Sequence, residues 1–412
     1  MASKSHFISQ ELGIMSDSLI GNLLIIQHGC NSVVSNAILS GIVTEALNSE
    51  CIQEILGSIN GIQGLTLGNF IDLASEQQQT MLDLQHSAGA ILGTHIHGAI
   101  STNDLENMLN QIEKNNIRFI FNIGAQEAQT FSEQIALLAT ENNYELRVIG
   151  LPETIENNLP ITDHCLGYGS AIKLLATALQ ESSNVLQSSG LRNAVEIFEI
   201  GGHDPSWLVA GSVLARKVSQ RNAPHLIYLP TTTLNNDVLL DQVSDLLKSS
   251  NFCTIVTASR LTDDNGNPIA TNAASAADAI KNAIIEELDV HATIVKLETL
   301  LRGFSVLTSA IDLKEAIEAG SKAVEFSLNG ANKKMLTLLR ADASKYSVEY
   351  GLADLSNIVG RDKPIPPNWL SENHEPTTSF IKYASQLIQG ESAQPFVSGL
   401  PKSISLKKIE FP

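Results

Sequence analysis

Two hydrophobic patterns alternate along the chain. Short apolar runs rich in β-branched and aromatic residues recur between longer stretches in which Leu, Ile and Ala return at helical spacing. The short runs predict buried strands at 23–27, 118–123, 145–151, 194–200, 225–229 and 254–258. The longer stretches predict helices at 132–140, 171–181, 205–217 and 273–287. Strands alternating with helices predict an α/β fold of doubly wound parallel sheets, whose ligands bind beyond the carboxyl ends of the strands.

The last part of the chain has a different pattern. Residues 361–378 are rich in proline and polar residues and predict an irregular surface segment, which is followed by a helix at 379–389. The final stretch, 399–412, fits either a short edge strand or a contact in an oligomer. The length of 412 residues is typical of two or three domains.

Composition and charge narrow the class of protein. The chain is 43% hydrophobic and 17% charged, which is ordinary for a globular protein and excludes disorder of the whole chain. The formal net charge of -18 argues against nucleic acid and anionic membranes as partners. No apolar run is long enough to span a bilayer, and residues 1–13 lack the apolar core of a signal peptide. We therefore expect a soluble cytoplasmic protein, which needs a local cationic site if it binds anions.

The cysteines give no sign of a metal site. The four cysteines form no CxxC pair and no zinc-finger spacing; they are Cys30, Cys51, Cys165 and Cys253. We predict reduced thiols.

One segment carries a specific motif. Residues 151–171, "LPETIENNLPITDHCLGYGSA", resemble the substrate loop of the phosphofructokinases, written "PKTIDNDLPxTDxxxGFGSA". Weaker similarities occur in the same order along the chain, at 36–38, 199–215, 301–316 and 323–326. The overall length is similar to that of the bacterial pyrophosphate-dependent branch, so the resemblance spans nearly the whole chain.

The resemblance implies two Rossmann-like domains with a cleft between them. Fructose 6-phosphate and a phosphoryl donor, ATP or pyrophosphate, would meet in the cleft in a glycolytic reaction, with Mg²⁺ bridging the donor. A homo-oligomer, or a hetero-oligomer with a paralogue, is also implied. We expect a donor-side domain of 1–155 plus about 255–315, a sugar-phosphate-side domain of 156–254 plus about 316–345, and a C-terminal extension of 346–412.

The resemblance assigns the general base to Glu156, where the family has an aspartate. The glutamate is one methylene longer, and a shift of about 1 Å can cost on the order of 10²-fold in rate. Thr154 precedes the base in the same motif. Asn158 stands where the family has a second aspartate, and we expect it at the substrate.

The cationic positions of the motifs are altered. Glu153 replaces the lysine that faces the donor phosphate in the pyrophosphate-dependent branch, and it could point into the cleft or out into solvent. Gly202 is kept after the strand at 194–200, but His203 replaces the arginine that binds the sugar phosphate. Histidine cannot reproduce the bidentate fork of arginine. Arg302 is a cation that survives.

The donor-phosphate loops keep some of their glycines. The resemblance places Gly29, Gly93, Thr94 and Gly124 at the phosphoryl donor. Glu127 is the one carboxylate left in the turn that holds magnesium in the family, and it is the candidate metal ligand.

Two hypotheses for function follow. Since the altered positions are mostly charged and the kept ones mostly serve the fold, the first is a catalytically impaired paralogue that binds a metabolite or a partner subunit. The second is an active pyrophosphate-dependent 6-phosphofructokinase with Glu156 as base and Mg²⁺ as cofactor.

Several other residues carry alternatives. His28, His95 and His97 could form a metal or anion site or be ordinary cleft histidines. His203 and Asp204 could be an acid–base pair, or Asp204 could cap the helix that begins at Pro205.

Three remaining side chains favour ordinary structural roles. We expect Asp163 to be a helix cap or loop anchor, Trp207 to be core packing, and Cys30 to be unreactive.

Overall fold

The computed structural model describes residues 19–411 apart from 30–31, 96–97, 99, 191–192, 217–222, 270–273 and 342–344. Cys30 and His97 therefore lie outside the described residues. The strands are β1 Gly21–His28, β2 Ile52–Ser58, β3 Phe70–Asp72, β4 Ile117–Gly124, β5 Arg147–Pro152, β6 Ala194–Ile200, β7 Leu226–Tyr228, β8 Phe252–Ala258, β9 His291–Lys296, β10 Lys334–Arg340, β11 Val348–Asp354, β12 Phe396–Val397 and β13 Leu400–Pro401. The helices are α1 Ser35–Ala46, α2 Ile62–Leu67, α3 Gln78–Leu84, α4 Thr102–Lys114, α5 Gln126–Glu141, α6 Tyr168–Ser188, α7 Ser206–Gly211, α8 Asn236–Ser250, α9 Ala276–Leu288, α10 Glu298–Gly303, α11 Ala310–Leu328 and α12 Thr378–Leu387.

The larger sheet has seven strands in the order β11-β10-β5-β4-β1-β2-β3. Its five inner strands are parallel, and the strand at each edge is antiparallel to its neighbour. All eight residues of β1 are buried, because helices cover both faces of the sheet at its centre. This burial explains the continuous apolar run that predicted the strand.

The smaller sheet has four parallel strands in the order β7-β8-β6-β9. Together the two sheets confirm the predicted α/β fold class, and each of the six predicted strands overlaps a strand of the structure. No helix in the described part of the chain is long and apolar enough to cross a membrane.

The predicted helix at 205–217 is shorter in the structure. It divides into α7 and a 3-10 helical turn at Ser212–Ala215. The hydroxyl of Ser212 donates to the carbonyl oxygen of Val209 at 2.6 Å, a local bond that competes with regular helical pairing. The apolar residues that predicted a longer helix are still buried, as Val213 and Ala215 show.

The path of the chain between the sheets differs from the predicted division. We assigned about 255–315 to the donor-side unit and about 316–345 to the sugar-phosphate-side unit. In the structure β8 and β9 pair with β6 in the smaller sheet, whereas β10 pairs with β5 in the larger one. The smaller sheet is therefore built from one contiguous segment, 194–296, and the chain returns to the larger sheet only after it. The exact domain boundaries stay a prediction.

Helix α11 packs closely on α1 after this return. A Cβ added at Gly41 of α1 would lie 2.2 Å from the carbonyl oxygen of Ile317, and one added at Gly320 of α11 would lie 2.3 Å from that of Ile38. Only glycine permits this approach of two backbones.

The C-terminal segment covers the smaller sheet's side of the molecule. The indole of Trp207 is 98% buried and contacts a cluster of aromatic rings: Tyr168, Trp369, Phe380 and Tyr383. Trp207 is thus core packing, as predicted, and the predicted last helix is α12. Near the end of the chain, Glu410 forms a bridge with Ile71 of the edge strand β3, which supports the edge-strand alternative.

Candidate active site

A cavity of about 290 Å³ lies where loops from both sheets meet. Three of the segments that line the cavity come at the ends of β1, β4 and β5. The cavity therefore lies beyond the carboxyl ends of adjacent parallel strands. Its lining residues are His28, Gly29, Ala125, Gln126, Glu127, Thr154, Glu156, Asn158, Gly202, His203, Arg302 and Asp362. Most of the residues predicted from the sequence are therefore brought together here.

Glu156 lies on a loop of residues 154–158, which we call the base loop after the role predicted for Glu156. Its carboxylate is held by backbone groups. Oε1 accepts from the N–H of His203 at 3.0 Å, and Oε2 accepts from the N–H of Asp204 at 3.2 Å. The backbone N–H of Glu156 donates to Oγ1 of Thr154 at 3.1 Å. The carboxylate thus has one fixed direction at the edge of the cavity.

Gly202 makes this arrangement possible. Its φ is +141°, and a Cβ at this position would lie 2.5 Å from Oε1 of Glu156. Any other residue would displace the carboxylate. The glycine therefore acts through the position of Glu156.

Glu153 points neither into the cavity nor into solvent. Its side chain is 1% exposed, and Oε1 accepts from the N–H of Ser32 at 2.6 Å, in the loop between β1 and α1. Burial raises the pKa of Glu153 to about 7, against the opposing effect of its hydrogen bonds to Ser32 and Ser35. A carboxylate of this chain therefore occupies one backbone donor of the loop between β1 and α1, which follows Gly29.

The charges that line the cavity are mostly negative. Within the described part of the chain, Arg302 is the one lysine or arginine among the lining residues, against three carboxylates: Glu127, Glu156 and Asp362. A second cation, Arg260, lies close by and donates to the carbonyl oxygen of Gly202 at 3.3 Å. Any anion that enters the cavity depends on these arginines and on the histidines and backbone N–H groups around it.

The predicted donor-site residues divide into two groups. Gly29 lines the cavity, and its carbonyl oxygen accepts from the hydroxyl of Thr94 at 2.7 Å. Thr94, Gly93 and Gly124 are not among the lining residues. A Cβ at Gly93 would lie 2.4 Å from Oδ1 of Asn60, and one at Gly124 would lie 2.2 Å from the carbonyl oxygen of His28. Both glycines thus shape the backbone around the cavity.

Glu127 lines the cavity at the N-terminus of α5. Among the residues that the structure describes, no group of three or more His, Cys, Asp or Glu side chains could hold a metal ion. The residues therefore do not fit a magnesium cage built by protein ligands alone. They fit an ion held by one carboxylate and by substrate phosphates, which is a common way for proteins to bind Mg²⁺.

Four of the lining residues were not predicted as site residues: His28, Ala125, Gln126 and Asp362. His28 entered only as part of a histidine cluster, and Gln126 and Asp362 were not singled out. Gln126 donates to the carbonyl oxygen of Ile358 at 3.1 Å. Asp362 comes from the proline-rich segment, where no hydrophobic pattern indicates which residues turn towards a cavity.

The structure decides part of the question whether the histidines form a metal or anion site. His28 lines the cavity and His95 does not, and the absence of a possible metal group holds for the described residues only. Asp204 Oδ1 accepts from the N–H of Ser206 at 3.1 Å, a local bond in the turn before α7. The helix begins at Ser206 with Pro205 at the N-cap position, one residue later than the cap alternative placed it, and Asp204 is not its N-cap.

Asp163 anchors the loop behind the cavity. Its carboxylate pairs with His164 Nδ1 at 3.0 Å and with Arg340 Nη2 at 3.1 Å. Burial alone would raise the pKa of Asp163, but His164 and Arg340 lower it to about 2. His164 Nε2 also lies 2.7 Å from Glu315 of α11. Asp163 is therefore the loop anchor that was expected.

Comparisons with known proteins agree with this geometry. The family model "Phosphofructokinase" matches residues 22–327. A pyrophosphate–fructose 6-phosphate 1-phosphotransferase from Xanthomonas campestris is 29% identical, with 94% of this chain and 97% of that protein covered. One of the same name from Halomonas elongata is 27% identical, with 94% and 96% covered. The crystal structure of the pyrophosphate-dependent phosphofructokinase from Marinobacter aquaeolei has a TM-score of 0.87 and 26% identity, with 95% and 98% covered.

Proposed function

Because this chain belongs to the phosphofructokinase family, we propose that it transfers a phosphoryl group from pyrophosphate to fructose 6-phosphate. Support comes from relatives of nearly the same length that are named for this reaction. The observation that carries the proposal is the position of Glu156. Its carboxylate is fixed at the cavity by two backbone N–H groups, next to Arg302, His203 and the loop of Gly29.

In this proposal Glu156 is the general base. Its carboxylate accepts the proton of the sugar hydroxyl while that oxygen forms a bond to phosphorus. The bond from phosphorus to the bridging oxygen of pyrophosphate breaks, and orthophosphate leaves. Because both oxygens of Glu156 accept backbone hydrogen bonds, the carboxylate is oriented before the substrate binds.

Few side chains at the cavity could neutralise the negative charge of the phosphate groups. Arg302 would bind a phosphate group directly, and the N-terminal end of α5 presents backbone N–H groups to the same cavity. Mg²⁺, held by Glu127 and by the phosphates, would neutralise charge on the transferred group.

A coupled assay tests this proposal. Purified protein is supplied with fructose 6-phosphate, Mg²⁺ and either pyrophosphate or ATP, and formation of the bisphosphate is followed. We expect turnover with pyrophosphate. The absence of turnover with both donors would refute the proposal.

One observation favours a second candidate function, a paralogue that binds a metabolite or a partner subunit without turnover. The carboxylate of Glu153 stands where the resemblance places a lysine, and it accepts a hydrogen bond from the backbone N–H of Ser32 in the loop between β1 and α1. In that case fructose 6-phosphate would bind, as measured by calorimetry, while the coupled assay would stay silent. Oligomeric state stays a prediction.

A further inference from the structure

Lys363 lies directly behind the base loop. It follows Asp362, which lines the cavity, on the proline-rich segment. Its Nζ donates to Oδ1 of Asn157 at 2.9 Å and to the carbonyl oxygens of Asp163 at 3.1 Å and Thr162 at 3.3 Å. One ammonium group therefore joins the middle of the base loop to the segment that follows it.

The backbone of Lys363 makes two more bonds to the site. Its N–H donates to the carbonyl oxygen of Asn158 at 2.9 Å, and its carbonyl oxygen accepts from Nε1 of Trp207 at 2.8 Å. Its ammonium lies 5.0 Å from the centroid of the Trp207 ring. Trp207 belongs to α7, which follows the backbone N–H groups that hold Glu156. Lys363 thus contacts both sides of the base: the loop that carries it and the helix beyond the turn that orients it.

Asn157 shows why this loop needs support. Its φ is +53°, a left-handed conformation that has an energetic cost outside glycine. Its Oδ1 accepts from the N–H of Cys165 at 2.8 Å as well as from Lys363, and its Nδ2 donates to the hydroxyl of Tyr383 at 3.1 Å. The strained residue next to Glu156 is therefore fixed on every polar atom of its side chain.

The partners of Lys363 are neutral oxygens. Among the described residues, no ion pair within 4.0 Å includes Lys363. Burial lowers the pKa of Lys363, because water is removed from the ammonium group. Burying an ammonium group among neutral oxygens lowers the stability of the fold. The hydrogen bonds of Lys363 to the base loop therefore tell us more about its role than a contribution to stability does.

We propose that Lys363 is a positioning residue, which holds the base loop so that the carboxylate of Glu156 faces the sugar hydroxyl. The proposal rests on the proposed function, since it assigns Lys363 a role in the same reaction. It adds a residue from the C-terminal extension to the site.

Hydrogen exchange of the full-length protein tests the proposal without an activity assay. In Lys363→Met, we expect amide exchange in peptides covering 154–166 and 203–204 to rise about tenfold or more, while the larger sheet stays protected. Lys173→Met is a matched control, because Lys173 also ties the C-terminal segment down, through the carbonyl oxygen of Gly390, away from the cavity. The control should leave exchange at 154–166 unchanged.

Kinetics of the same variants separate positioning from folding. For Lys363→Met we expect kcat to fall about 10–100-fold, with KM for fructose 6-phosphate changed by less than about threefold. Lys173→Met should keep both constants. If the wild-type protein shows no turnover, the proposed function fails, and hydrogen exchange alone decides the role of Lys363.

Two outcomes would overturn the inference. One is unchanged exchange at 154–166 in Lys363→Met. The other is a uniform rise over the whole chain, which would mean a purely structural role. Should Lys363→Met not fold, Lys363→Gln replaces it, because its amide keeps a donor at this position without the charge.

Discussion

At the scale of single residues, the carboxylate of Glu156 offers the most direct test of the site. Replacement by glutamine keeps its size and its acceptor oxygen towards the N–H of His203, but removes the base. We expect kcat to fall on the order of 10²- to 10⁴-fold while fructose 6-phosphate still binds. The coupled assay and a calorimetric titration measure the two quantities.

Glu286→Gln is the control for this change, because Glu286 is exposed on α9. It should keep full activity. Equal activity of Glu156→Gln and wild type would remove Glu156 from the role of base.

Buried Glu153 gives a prediction about stability and pH. Because its pKa is about 7 in the folded protein and near 4.5 when unfolded, the folded state binds an extra proton between these values. Stability is therefore lost as pH rises from about 4.5 through 7, by up to roughly 3 kcal/mol. Glu153→Gln should be more stable than wild type at pH 8 and nearly equal to it at pH 5, as measured by urea unfolding.

Exposed Glu286→Gln serves again as the comparison and should show the wild-type dependence on pH. A constant difference between Glu153→Gln and wild type from pH 5 to 8 would contradict the assignment.

The sequence located these two glutamates but could not orient Glu153. The motif fixes its place one residue after β5, while its burial depends on the loop at Ser32, which is distant in sequence. Asp362 was beyond prediction for a similar reason, since an irregular segment has no period that indicates a buried face.

At the scale of elements, the crossing of α1 and α11 tolerates no side chain at Gly41. In Gly41→Ala the new Cβ would meet the backbone of Ile317, which cannot move without shifting α11. We expect a loss of about 1–3 kcal/mol in the free energy of unfolding. Chemical denaturation measures it.

Gly98→Ala is the control, because a Cβ at Gly98 meets no atom of the described residues within 4 Å. It should be neutral within about 0.5 kcal/mol. An equal effect of the two changes would show that the helices can separate without cost.

The ion network behind the base loop adds a second dependence on pH. Burial opposes the charge on His164, but Glu315 and Asp163 outweigh it and raise its pKa to about 9. A raised histidine pKa stabilises the fold fully below about 6.5, and this stabilisation is lost as pH rises through 9. The stability difference between wild type and His164→Asn should therefore be larger at pH 6.5 than at pH 9.5, in urea unfolding at each pH. A difference that grows towards pH 9.5 would contradict the pairing.

Elements were predicted better than their connections. Each of the six predicted apolar runs overlaps one of the thirteen strands in the described part of the chain, because strands inside a parallel sheet are covered on both faces. The return of the chain was misplaced, because the runs in β8 and β10 do not show which sheet each one joins. Only pairing through hydrogen bonds, as between β6 and β8, decides that.

At the scale of the whole molecule, the net charge of -18 acts against anionic ligands. Salt screens charges beyond a Debye length of about 10 Å at 0.1 M, and it weakens the short contact with Arg302 less. The affinity for fructose 6-phosphate, measured by calorimetry, should therefore stay constant or rise between 20 and 150 mM NaCl. A several-fold fall would mean that local cations dominate the field.

Two of the connections between the sheets pass the cavity. One runs from β5 through Thr154, Glu156 and Asn158 to α6, and the other runs from β9 through Arg302 to α11. Any rotation of one sheet relative to the other would bend both of these connections. The positions of Glu156 and Arg302 would then be coupled to the movement of the sheets. A substrate that contacts both residues would therefore also restrict that movement.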